Sequence, residues 1–134
     1  MAGLATAFGS GAMTNSIDEI EQTDTILAIG TNTTEAHPVI ALRVKKAVRE
    51  RGAQLIVIDP RPIEMTQWAS LWLQPLPGTN VAVINGIMHH ILKAGLANQA
   101  FIAERTEGYE ALAASLEGFT PEGAESLSGV PAAL

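Results

Sequence analysis

Three polar stretches of this 134-residue chain carry the groups that could do chemistry, and each directly follows or closes a short apolar run. The first, Gly30 to His37 (GTNTTEAH), offers a glycine for close backbone approach, the amide of Asn32 and the hydroxyls of Thr31, Thr33 and Thr34 ahead of a helix start whose free amides suit an anionic group. It could cradle a pyrophosphate. It is not a GxGxxG loop, and a lone glycine with polar neighbours after a strand also reads as a plain turn. The second, Asp59-Pro60-Arg61, closes the run Gln54 to Ile58, the position where dinucleotide folds place an acid to accept hydrogen bonds from ribose hydroxyls. The same residues also spell an Asx turn, with Arg61 merely pairing with Asp59. In the third, Pro77 to Asn80, Gly78 and Asn80 flank Thr79, which could equally be a plain helix N-cap. In an open parallel sheet ligands bind outside the carboxyl ends of the strands, and all three stretches are expected on that edge.

Other reactive side chains are set aside on spacing. His89 and His90 are adjacent on a helix and point about 100° apart, which suits structural or surface histidines better than ligands of one ion. His37 precedes Pro38 and could orient its loop, but it has no base or nucleophile close in sequence. The acidic pairs Asp18/Glu19 and Glu21/Asp24 read as a solvated helix face and start, and Trp68, Trp72 and the methionines read as core. No catalytic residue and no metal ligand is expected in this chain.

The elements that must position these loops emerge from periodicity. Ser16 with Glu19 has capping-box spacing and opens a short helix, and Thr25 to Ile29 is an apolar, partly β-branched run that predicts a central strand buried on both faces. Pro38 suits a first helical position, with Ile40, Val44, Ala47 and Val48 on one face, Arg43, Lys45, Arg49 and Glu50 on the other, and a stop at Gly52. Strand, helix and the second strand Gln54 to Ile58 make a βαβ unit, right-handed by the usual preference. LWLQP is a third strand, followed by a helix from Asn80 to about Ala94 with Ile84, Ile87, Met88 and Ile91 inward. Beyond Gly95 come short helical pieces around Phe101, Tyr109 to Leu116 and Pro121 to Leu127. The predicted architecture is a three-layer α/β/α sandwich with a Rossmann-like parallel sheet. Residues 1–134 form one domain, with its core over about 14–96 and the short helices over about 97–134.

Composition narrows the function classes. Eight basic against fourteen acidic residues give a net charge of −6, which repels phosphate backbones and argues against nucleic acid as a partner. With no cysteine, the segment can hold neither a disulfide nor an iron–sulfur cluster. Met1 to Gly11 is too short and glycine-broken for a spanning helix and lacks the pattern of an export signal, so a cytoplasmic protein without membrane contact is expected, periplasmic only if an export signal lies elsewhere in the parent. The abrupt start and the ending GVPAAL read as an internal piece of a longer chain.

The segments AGLATAFGSGAMTNSIDEIEQTD, IGTNTTEAHPVI, LIVIDPR, LPGTNVAVINGIMHHIL and FIAERTEGYEAL resemble, in order and approximate spacing, the molybdopterin oxidoreductases, and among them the catalytic subunits of formate dehydrogenases. DPR alone is weak; the G-x-N-x-x-E-x-H-P loop followed by D-P-R and P-G-T-N is specific for the superfamily. The resemblance implies a domain that binds one guanine dinucleotide of a bis-molybdopterin cofactor carrying molybdenum or tungsten. Gly30, Asn32, Glu35 and Ala36 would form the first nucleotide loop, Asp59 and Arg61 the second, Gly78 and Asn80 the third. Family members often hold Asp and Ser where this chain has Glu35 and Ala36, so backbone contacts are what is implied there. The catalytic cysteine or selenocysteine with its histidine, and a 4Fe-4S cluster, would lie upstream. The full protein would oxidise formate to carbon dioxide and pass electrons to that cluster, with other domains of the same subunit and electron-transfer subunits or redox carriers as partners. The piece alone would be inactive and without cofactor. A nitrate reductase-like enzyme or respiratory-complex subunit, and a stand-alone NAD-type module, are the competing readings.

Overall fold

The computed structural model describes residues 2–134. It is an α/β protein whose strands β1 (Thr25–Ile29), β2 (Gln54–Ile58) and β3 (Leu71–Leu73) form one sheet in the order β1-β2-β3. The register rises together on β2 and β3, from Ser70 N–H on Leu55 O to Asp59 N–H on Leu73 O, which makes the pair parallel. By contact density the chain divides into two compact units: residues up to Val57 with Ile63–Leu71, and Ile58–Pro62 with Trp72–Leu134.

In the first unit, β2 is the core strand, with Leu55 and Val57 each 1% exposed. The expectation of a doubly buried, central β1 is corrected. It has one neighbour, and pleat alternation turns Thr25 and Leu27 outward, leaving Leu27 52% exposed. Between β1 and the main helix the polar stretch is not all loop but holds a single turn, α2 (Thr33–Ala36), after an N-terminal helix α1 (Ala2–Phe8) that the glycine-rich opening did not suggest. α1 buries no residue, and Met13 just beyond it is exposed rather than core, within a run, residues 2–19, that is exposed throughout. Met1 lies outside the described residues.

Helix α3 (Pro38–Arg51) starts at its proline and ends on Gly52, whose φ of 73° is the left-handed conformation that glycine adopts without strain. Its inward residues are Ala41, Val44 and Ala47; small side chains win the deepest positions, and Ile40 and Val48 are half-buried. The polar face is not left to solvent. Glu21, in the 3-10 turn Asp18–Gln22, pairs with Arg43 and lies 2.7 Å from Lys46, while Arg43 also reaches Asp18 at 3.0 Å. Glu21 is thus a docking group, not part of a solvated face. The capping box appears in half: Glu19 accepts the Ser16 N–H, and the turn it caps is 3-10 rather than α. Lys45 pairs with Glu64 at 2.5 Å and lies 5.6 Å from the Trp68 ring centre, so Trp68 is half-buried under a cation rather than enclosed.

In the second unit, helix α4 (Asn80–Lys93) packs on α6 (Tyr109–Leu116) and α7 (Pro121–Ser128), with α5 (Gln99–Arg105) lying between α4 and α6 in sequence. The predicted inner face is corrected. The buried residues are Ala82, Val83, Gly86 and His89, whereas Ile87 and Ile91 are 36% and 37% exposed. Size decides this: a Cβ on Gly86 would sit 2.8 Å from the Ala124 Cβ, so α7 approaches α4 as closely as a bare backbone allows. No helix among the described residues is long and apolar enough to cross a membrane.

Two measurements check these contacts. Gly86→Ala gains about 1 kcal/mol of helix propensity but costs about 1–3 kcal/mol in overpacking against Ala124, so a net loss is expected in denaturant unfolding, with partial recovery on adding Ala124→Gly. Hydrogen bonds first from Lys46 and then from Arg43 hold the Glu21 carboxyl below the usual carboxylate range. The stability this provides is complete above the ordinary Glu range and is lost as pH falls through the depressed value, so Glu21→Gln should flatten the acid limb of a stability-versus-pH curve.

Candidate functional site

Loop one belongs to the first unit. Gly30 has φ 58°, and the space where a Cβ would lie is open, so the chain turns sharply off β1 with its backbone uncovered. Asn32 organises the turn of helix after it. Its carbonyl accepts the N–H groups of Glu35 and Ala36 at 3.2 and 2.9 Å, and its Oδ1 accepts the Thr34 hydroxyl at 2.9 Å. The amides of Glu35 and Ala36 are therefore spent inside α2, while both residues stand exposed. His37 joins α2 to α3 through its backbone, N–H to Thr33 O and O from Ala41 N–H, and its side chain caps neither helix. The conspicuous atom is Thr33 Oγ1. Thr33 is 8% exposed, and its hydroxyl is the buried side-chain oxygen without a hydrogen-bond partner among the described residues. Such a group costs about 1–3 kcal/mol unless something satisfies it.

Loops two and three belong to the second unit. Asp59 is 3% exposed, and its Oδ1 accepts the Arg61 N–H at 2.8 Å, an Asx turn closed over Pro60. The Arg61 guanidinium is 3.6 Å from the same oxygen and 71% exposed, so the pairing is loose and the cation is free to reach outward. Thus the turn is formed, and it coexists with a carboxylate that has a second oxygen to offer. In loop three Gly78 takes φ 87° with open space at its Cβ position. Thr79 does not cap α4 through its side chain; its hydroxyl donates to Leu76 O at 2.6 Å. Leu76 N–H in turn donates to Ser128 O at 2.8 Å, tying the loop to the end of α7, and Asn80 begins α4 exposed.

His89, 9% exposed, shares its Nδ1 with the Leu116 carbonyl at 2.8 Å and is a structural link between α4 and α6, while His90 is exposed. No group of three or more His, Asp or Glu placed to hold a metal occurs among the described residues. Trp72, expected in the core, is half-buried and donates its indole N–H to Asp59 O at 2.8 Å. This contact and the orphan hydroxyl of Thr33 escape sequence reading, because each depends on what surrounds the side chain. If that hydroxyl awaits a ligand, Thr33→Val should leave the ligand-free protein as stable or up to about 1 kcal/mol more so, measured by thermal unfolding.

Each loop, taken within its own unit, carries donors or acceptors that suit a nucleotide ligand: open backbone at Gly30 and Gly78, a buried hydroxyl without a partner, a buried carboxylate and an exposed guanidinium. The family model for molybdopterin oxidoreductases matches residues 2–122. The alpha subunit of F420-dependent formate dehydrogenase 1 from Methanococcus maripaludis is 56% identical over 128 residues, 96% of this chain and 19% of the relative. Formate dehydrogenase H of Escherichia coli is 42% identical over 132 residues, 98% of this chain and 18% of the relative. The chain thus spans about a fifth of the length of these relatives. Among solved structures, acetylene hydratase from Pelobacter acetylenicus superposes with a TM-score of 0.75 at 23% identity, covering 87% of this chain and 18% of that one, a likeness of fold. With its loops in family order and the family model matching nearly the whole chain, this protein belongs to the molybdopterin oxidoreductases.

Proposed function

We propose that this chain is the part of a formate dehydrogenase catalytic subunit that grips one guanine dinucleotide of a bis-molybdopterin cofactor. The observation that carries the reading is Asp59, a carboxylate buried at the end of β2 with one oxygen engaged in its own turn and the other left over. At this position in an α/β fold an acid accepts from a ribose or base donor. Arg61, exposed beside it, supplies a cation for a phosphate. Gly30 lets the backbone approach a pyrophosphate, with Thr33 Oγ1 as a donor in need of an acceptor. Asn32, Glu35 and Ala36 shape that first loop, and Gly78 and Asn80 present the third.

When bound, the cofactor supplies the two-electron chemistry at molybdenum or tungsten; the protein supplies orientation and electrostatics. By anchoring the nucleotide end, this segment sets where the reacting end lies, which converts a diffusive encounter into a fixed geometry. The identity with relatives named formate dehydrogenases supports formate as the substrate of the whole protein and carbon dioxide as its product. The reacting side chain and a 4Fe-4S cluster that takes the electrons would then lie outside this segment, which has no cysteine. Other domains of the subunit and electron-transfer partners complete that assignment. A free-standing NAD-type module is disfavoured by the extent of the family match.

In the full-length protein Asp59→Ala should lower bound guanine nucleotide, released by acid and quantified, together with metal content and formate oxidation. Unchanged nucleotide and metal content would sink the reading.

A further inference from the structure

Loop two is held from outside by its neighbouring strand. Trp72 Nε1 donates to Asp59 O at 2.8 Å, Gln74 Nε2 donates to Pro60 O at 2.9 Å, and Asp59 N–H donates to Leu73 O at 3.2 Å. Carbonyls of a turn at a strand end that reach solvent are satisfied by water at no cost in side-chain freedom. Here two long side chains, two residues apart on and just after β3, give up rotamers to take that place. The result is a turn whose backbone is pinned at both carbonyls, while Arg61 on the same turn stays 71% exposed and free to swing.

The geometry points to Trp72 and Gln74 as positioning residues for loop two, holding the Asp59–Pro60 backbone in its binding shape before a nucleotide arrives. This rests on the reading of Asp59 as a nucleotide-binding acid. A loop ordered in advance loses less entropy on binding, so the clamp acts on retention of the nucleotide without touching it.

The test uses the full-length protein with Trp72→Phe and Gln74→Met, singly and together; each keeps bulk and removes the donor. In the cofactor-free protein, backbone amide exchange at Asp59 and Arg61 should accelerate about threefold to tenfold in the double variant, with the amides of α4 unaffected. In the loaded protein, guanine nucleotide should dissociate about fivefold to tenfold faster, and Gln74→Lys, which keeps a nitrogen donor, should remain close to the parent. Unchanged exchange at loop two overturns the clamp. Faster exchange with unchanged dissociation overturns its role in positioning, as does an equal acceleration throughout α4. Asp59→Ala run alongside separates the two ideas: if it too leaves nucleotide content unchanged, the nucleotide reading fails, while the exchange measurement still decides whether the clamp exists.

Discussion

The burial of β2 is the constraint on which the loops depend. Leu55 and Val57, two apart on one face, are each 1% exposed, and a strand so committed cannot slip by one residue without turning both to the other face. Asp59 follows directly, so its place is set by hydrophobic register rather than by its own contacts. A carboxylate at 3% exposure would not choose such a position alone. The aliphatic strand puts it there, and the Arg61 N–H makes the placement tolerable.

The helices after β3 serve a similar end by close approach. Gly86 and Ala124 bring α7 against α4, and the carbonyl of Ser128 then reaches the Leu76 amide ahead of loop three. Ser128, 1% exposed, turns its own hydroxyl back to Ala124 O and accepts Val130 N–H, so the end of α7 is internally satisfied while it braces the loop. His89 adds the link to α6. The carboxyl-terminal helices are thus scaffolding for the turn that opens α4.

Much of this is legible in the amino-acid order. Thr25–Ile29 and Gln54–Ile58 coincide with β1 and β2, and Pro38 and Gly52 mark the limits of α3, because β-branched runs and helix punctuation act locally. The inner face of α4 departs from its periodicity because isoleucine is the more hydrophobic residue, whereas the packing selects the smaller one; glycine carries no hydropathic signal of a close helix crossing. α2 is too short for periodicity to register. Of the site, Asp59, Arg61 and the positive-φ glycines can be placed from sequence. The partners of Trp72 and Gln74, and the orphan state of the Thr33 hydroxyl, cannot, since they depend on distances between residues up to 14 positions apart or on the absence of any partner among the described residues.

Loop two also has a donor inventory. Pro60 and Pro62 carry no N–H, the Asp59 N–H is spent on Leu73 O, and the Arg61 N–H is spent on Asp59 Oδ1. No backbone proton remains between residues 59 and 62 for an outside group. This turn therefore meets anything polar as an acceptor, through a carboxylate, with one detachable cation as its single means of donating. A phosphate would meet no free backbone amide here, so what this turn can offer is written in two proline rings as much as in the charged side chains of Asp59 and Arg61.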